Sequence, residues 1–141
     1  MMARESAGWI PLFDSELVDR QPREVRLCLQ ESENCAANGL WIAASVMLRK
    51  ALEIAIVLKF QQLEREVDLY EESGREKGLS ARLDLLGKSL PAVRRSARDV
   101  LVVKWFGDRG AHSTMAVHEG DIRAVIAPAV RSFLSSLGLK P

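Results

Sequence analysis

The sequence predicts an all-α fold, a single bundle of about five helices with a kinked last helix. Three observations predict it. Apolar residues recur at helical spacing in successive stretches, no stretch alternates with period two over a strand length, and proline and glycine punctuate the chain where helices start and stop. Residues 1–21 are weakly patterned, with Trp9, Ile10, Leu12 and Phe13 around Pro11, and read as an arm that packs on the domain or on a partner. Residues 22–138 form the helical domain.

Each element follows from its own pattern. From Pro22, a residue suited to a first helical turn, Val25, Cys28, Leu29, Cys35 and Ala36 trace a first helix that Asn38-Gly39 stops. Leu40 to about Arg65 is a second helix, apolar on nearly every side of its early half, which assigns it to the bundle centre. The charged, glycine-punctuated run Glu71 to Gly78 is an exposed loop. Leu79, Leu83 and Leu86 mark a short helix that Gly87 is expected to end. Pro91 then starts another, with Val93, Ala97, Val100, Leu101 and Trp105 as its buried face and a turn at Gly107. In the last helix Glu119 and Asp121 complement the dipole at its start, and Ile122, Val125, Ile126, Ala129, Val130, Phe133, Leu134 and Leu137 make an apolar face before Gly138. Pro128 is expected to bend it.

A chain of 141 residues, 48% hydrophobic and 28% charged, can bury one core without metal or disulfide staples. Its formal net charge of +1 exerts no global pull toward nucleic acid or membrane, so such binding must come from a local patch. Cys28 and Cys35 share a helix with about 10 Å of rise between them, too far to bridge, and are read as free thiols of a reducing compartment. The N-terminus lacks the pattern of a secretory signal, and the longest apolar run, Leu40 to Leu48, is far short of a membrane span. The expectation is a cytoplasmic protein with no membrane partner.

Polar chemistry concentrates at two places. Ser45, Arg49 and Glu53, at four-residue steps, form one polar stripe on the central helix. Arg49 and Glu53 are expected to pair with each other or with a neighbouring helix, or to face the 107–112 turn and orient its groups; the readings are compatible. The second place is Trp105-Phe106-Gly107-Asp108-Arg109-Gly110-Ala111-His112-Ser113, entered by a basic helix with Arg94, Arg95, Arg98 and Lys104, opposed only by Asp99 and Asp108. Such a helix is suited to phosphates, or is a solvated face; Trp105 and Phe106 are the only aromatics beside it. His112 has the acid–base range for catalysis, with Asp108 one helical turn away to fix its tautomer and Arg109 or Lys104 to stabilise an anion; the alternative is a structural histidine. Ser113 carries no nucleophile signature, and His118, Glu119 and Asp121 match no strong zinc or iron spacing, so neither metal nor cofactor is expected.

These residues carry a resemblance. Gly39-Leu40-Trp41-Ile42-Ala43-Ala44, then Leu48-Arg49-Lys50-Ala51-Leu52-Glu53, a short Leu-rich helix, and Gly107-Asp108-Arg109-Gly110-Ala111-His112 together resemble a bacterial family of unknown function. That family is marked by Arg-x-x-Leu-Glu and Gly-Asn-x-Ala-Ala-His motifs and is placed with the HEPN (higher eukaryotes and prokaryotes nucleotide-binding) domains. The resemblance covers roughly residues 25 to 137, and it rests on the order and separation of the motifs. It implies a HEPN-like bundle that dimerises with a second copy, binds RNA or a nucleotide, and in the wider superfamily cleaves RNA without metal. Many members act with partner proteins in defence or toxin–antitoxin systems. Asp108 falls where the polar Asn stands and His112 where the His stands. The Arg that the superfamily pattern places just before the polar residue is Gly107 here, with Arg109 after it and Lys104 one turn before. The resemblance therefore implies nucleic-acid or nucleotide binding with ribonuclease activity weak or lost, and a non-catalytic interaction module as its alternative. His112, Asp108 and Arg109 are the candidate catalytic residues, and Lys104, Arg98, Arg94, Arg49 and Glu53 the candidate binding residues.

Overall fold

Helix α3, Trp41–Gln62, is built to be surrounded. Ala44, Leu48, Ala51, Ala55, Ile56 and Phe60 have no exposed surface, and the alanines among them let neighbouring backbones approach closely. The computed structural model describes residues 8–112 and 116–141, with Gly110, Ala111 and His112 described by backbone alone. Within them the elements are α1 (Ser15–Asp19), α2 (Arg23–Ala37), α3, a 3₁₀ turn (Glu66–Leu69), α4 (Leu79–Ser89), α5 (Pro91–His112) and a composite α6. Helix α6 joins Glu119–Asp121, a π-helical turn Ile122–Ile126 and Ala127–Leu137. The fold is an all-α bundle in which α3 packs against α2, α5 and α6, while α5 also packs against α4 and α6.

The stops and starts follow local chemistry. Asn38 closes α2 and Gly39 takes φ +75°, which lets Leu40 N–H donate to the Cys35 carbonyl at 2.8 Å and Gly39 N–H to that of Ala36 at 3.0 Å. The same pair of bonds ends α3, with Arg65 N–H on Phe60 and Glu64 N–H on Gln61, but there Glu64 holds the left-handed position at φ 57°. Helix α3 accordingly ends at Gln62, three residues before the sequence reading placed its end. In α6, Pro128 sits at the start of the final segment, directly after the π turn. Proline offers no N–H and crowds the carbonyl four residues back, so a widened turn there both accommodates it and kinks the helix.

The N-terminal arm is held by one carboxylate. Glu33 of α2 accepts from Leu12 N–H at 2.7 Å and from Trp9 Nε1 at 3.3 Å, while Leu12, Phe13 and Leu17 are buried. From α6, Arg123 donates to the Ile10 carbonyl at 2.9 Å and lies over the Trp9 ring, which stacks in turn on Trp41. Cys28 and Cys35 are free thiols, and burial, reinforced by Glu31, pushes both above the ordinary thiol range although Lys50 pulls Cys28 the other way.

Helices α4 and α5 correct three expectations. The buried residues of α5 are Val93, Ser96, Val100, Val103 and Gly107, a seam with spacing 3, 4, 3, 4, whereas Leu101 and Trp105 face solvent at 43% and 50% exposure. At about 100° of rotation per residue, Leu101 and Trp105 stand about 80° or more around the helix from every residue of this seam, on its outer side. The chain does not turn at Gly107; α5 runs through it to His112. Nor does Gly87 end α4, which continues to Ser89 with Gly87 buried against Arg94 of α5.

Candidate functional site

The polar stripe on α3 meets α5 where Gly107 allows it. A Cβ at Gly107 would lie 2.9 Å from Arg49 Cδ and 3.0 Å from Arg49 Cβ, so the glycine is a close-approach position that only a hydrogen side chain fits. Arg49 fills that space with its aliphatic stem and sends its guanidinium across to α5. Its Nε donates to Glu53 Oε1 at 2.6 Å and its Nη1 donates to Asp108 Oδ1, while Lys104 Nζ donates to Asp108 Oδ2 at 2.7 Å. The Arg49 side chain is 28% exposed, so this knot of two cations and two carboxylates sits at the edge of the core, with its charges balanced. Ser45, one turn back, is buried and donates to the Ile42 carbonyl at 2.8 Å, outside the knot.

The ion-pair reading of Arg49 and Glu53 holds. They pair with each other, and Arg49 also engages Asp108 of the predicted functional segment. The knot brings together four of the eight residues singled out, Arg49, Glu53, Lys104 and Asp108. The space that a side chain at position 107 would need is occupied by Arg49, which presents a guanidinium to Asp108 from the opposite helix.

The other candidates lie on the outside of α5. Arg94, Arg98, Leu101, Trp105 and Arg109 follow one another at steps of 4, 3, 4 and 4 and so share one face, where Arg94, Arg98, Leu101 and Trp105 are exposed. The Arg109 guanidinium carbon lies 4.1 Å from the Trp105 ring centroid, a cation–π stack, and Phe106 meets the Trp105 ring edge-on at 4.9 Å. Phe106 is packed against the core, but Trp105 is not claimed by it. Sequence reasoning placed Trp105 in the core; its position off the 3.5-residue seam was the signal that assigns it to the surface.

His112 is the last residue of α5, four positions beyond Asp108 and therefore one turn along the same side of the helix. Its side chain, and Ser113 altogether, lie outside the described residues. Among the described residues no three His, Cys, Asp or Glu side chains gather as a metal-binding group, and Asp121 accepts from the His118 backbone N–H at 2.9 Å. No helix of the described residues is long and apolar enough to cross a membrane.

The fold and site define a class, a small all-α domain in which an ion-paired helix crossing adjoins an exposed basic and aromatic stripe. In comparisons with known proteins no family model, no curated protein and no solved structure matches the chain.

Proposed function

We propose that the chain is a HEPN-like cytoplasmic domain that binds nucleic acid or a nucleotide through the outer face of α5, with metal-independent ribonuclease activity weak or lost. The observation that carries this reading is the stripe itself. Arg94, Arg98 and Arg109 line it with Trp105 between them, and positive charge spaced along a helix neutralises phosphates without reading sequence. The carboxylates of α5 near these arginines, Asp99 and Asp108, lie off the stripe, and Asp108 is engaged by Arg49 and Lys104.

Catalysis is assigned the minor part because Asp108 is committed to the helix crossing. Lys104 and Arg49 both donate to Asp108 and so spend their charge on the helix crossing rather than on a developing anion. The resemblance further implies a homodimer. A second reading, a non-catalytic module for a partner protein in a defence or toxin–antitoxin complex, is favoured by exposed apolar residues beside the Trp9–Trp41 stack, Ile10 at 70% and Leu40 at 56% exposure.

The test is salt-dependent binding measured together with cleavage. Mixed RNAs incubated in chelator with wild type, His112→Ala and Arg109→Ala are expected to show binding that weakens as salt rises and cleavage that is slow or absent. Binding that is absent or indifferent to salt sinks the first reading and leaves the interaction module.

A further inference from the structure

The stripe contains more than charge, and the extra element points to a class of ligand. A phosphate-binding helix face needs only cations, yet this one holds a half-exposed indole with an arginine stacked on it. A half-exposed indole beside cations is a surface on which a flat ligand group can stack. Two features narrow what that group is. The charged residues of the stripe are all positive, with Arg98 about two turns before Trp105 and Arg109 about one turn after, which is complementary to a polyanion. The flat ring sits between these cations, in contact with Arg109, where it can meet the bases that a nucleic-acid strand carries along with its phosphates.

Resting on the nucleic-acid reading above, we infer that Trp105 with Arg109 is a base-stacking platform and that the ligand is an unpaired strand, taken as DNA or RNA alike. Bases in a duplex already stack on each other and present only their edges and the backbone. An unpaired base offers its π-face to the indole, and every base has one. Stacking ignores the sugar, so the platform does not distinguish ribose from deoxyribose. Arg98 and Arg94 then hold the phosphates on the side toward the start of α5. From Arg94 to Arg109 the face runs about 22 Å, enough for a few nucleotides. Phe106 braces the ring from its edge, which fixes the indole against rotation before the base arrives.

The experiment uses the whole chain carrying Trp9→Phe and Trp41→Phe, so that Trp105 is the one tryptophan left of the three. Labelled oligo-dT, oligo-rU of equal length and a mixed-sequence duplex are titrated, reading Trp105 emission and probe anisotropy at low and high salt. Both single strands are expected to quench Trp105 and to bind comparably, and both more tightly than the duplex. Trp105→Ala is expected to weaken single-strand binding by about tenfold to a hundredfold, with Trp105→Phe retaining most of it.

Circular dichroism of the variants checks that the exposed site leaves the fold intact. If Trp105→Ala binds as wild type while Arg98→Ala weakens binding, the phosphate reading stands and the stacking platform is wrong. Equal affinity for duplex and single strand also overturns it. Absence of salt-sensitive binding to every probe defeats both readings together. Loss of self-association in Trp105→Ala, with nucleic-acid binding unchanged, reassigns the tryptophan to a protein contact and overturns the inference.

Discussion

The two charged regions of α5 differ in one respect, the side of the helix they occupy, and everything else follows from that. On the inner side Lys104 and Asp108 meet Arg49 and Glu53 across a crossing that Gly107 makes tight, and the charges balance. On the outer side Arg94, Arg98 and Arg109 stand around Trp105 with no carboxylate among them on the stripe. The same residue types therefore serve packing in one region and, in the proposed function, an anionic ligand in the other. Mutations on the inner side are expected to change stability first and binding second. On the outer side the order reverses.

The largest effect expected is at Gly107. Replacing it with Leu forces Arg49 out of its position, and overpacking of this kind costs about 3 kcal/mol, read as a lower midpoint in urea. An unchanged midpoint breaks the claim that α3 and α5 touch there. Next is Asp108→Ala, which strips Arg49 and Lys104 of a shared partner; with about a third of each group exposed, solvent screening limits the loss to about 1 kcal/mol. A double-mutant cycle between Arg49→Met and Asp108→Ala should show a coupling of about that size, and additivity would mean the contact contributes nothing. Glu33→Ala sharpens the comparison from outside it, because the arm is far from both regions in the chain yet loses its anchor. It is expected to cost about 1 kcal/mol and to speed proteolysis of the arm, leaving nucleic-acid affinity unchanged. Smallest in stability is Arg98→Ala, expected within about 0.5 kcal/mol of wild type while affinity for RNA falls.

Much of the bundle was legible because its signals are local. Pro22, Asn38-Gly39, Pro91, Pro128 and Gly138 mark boundaries or bends by what their own backbones permit, and the structure has each in that role. Gly87 and Gly107 were misread as helix ends for a physical reason. A glycine that stops a helix and one that lets another chain come close are the same letter, and only the opposing residue, Arg94 or Arg49, tells them apart. Leu101 and Trp105 were misplaced because α5 carries apolar residues on more than one side, and the neighbour helices decide which side is covered. At the site, the Arg49–Glu53 pair was visible in its four-residue spacing. The link from Arg49 to Asp108 spans 59 positions and has no local mark. Glu33, the anchor of the arm, was not singled out at all, since a lone glutamate on a helix face looks like any solvated charge.

The central claim is that the outer face of α5 binds a polyanion through its arginines while the inner charges do not take part. The most direct test is the slope of log affinity against log salt for an unpaired oligonucleotide, compared between wild type, the triple variant Arg94→Ala, Arg98→Ala, Arg109→Ala, and Lys104→Ala. With three phosphate contacts the wild-type slope should be about −2, it should fall toward zero in the triple variant, and Lys104→Ala should leave it unchanged. A flat wild-type slope, or a triple variant with the wild-type slope, contradicts the account.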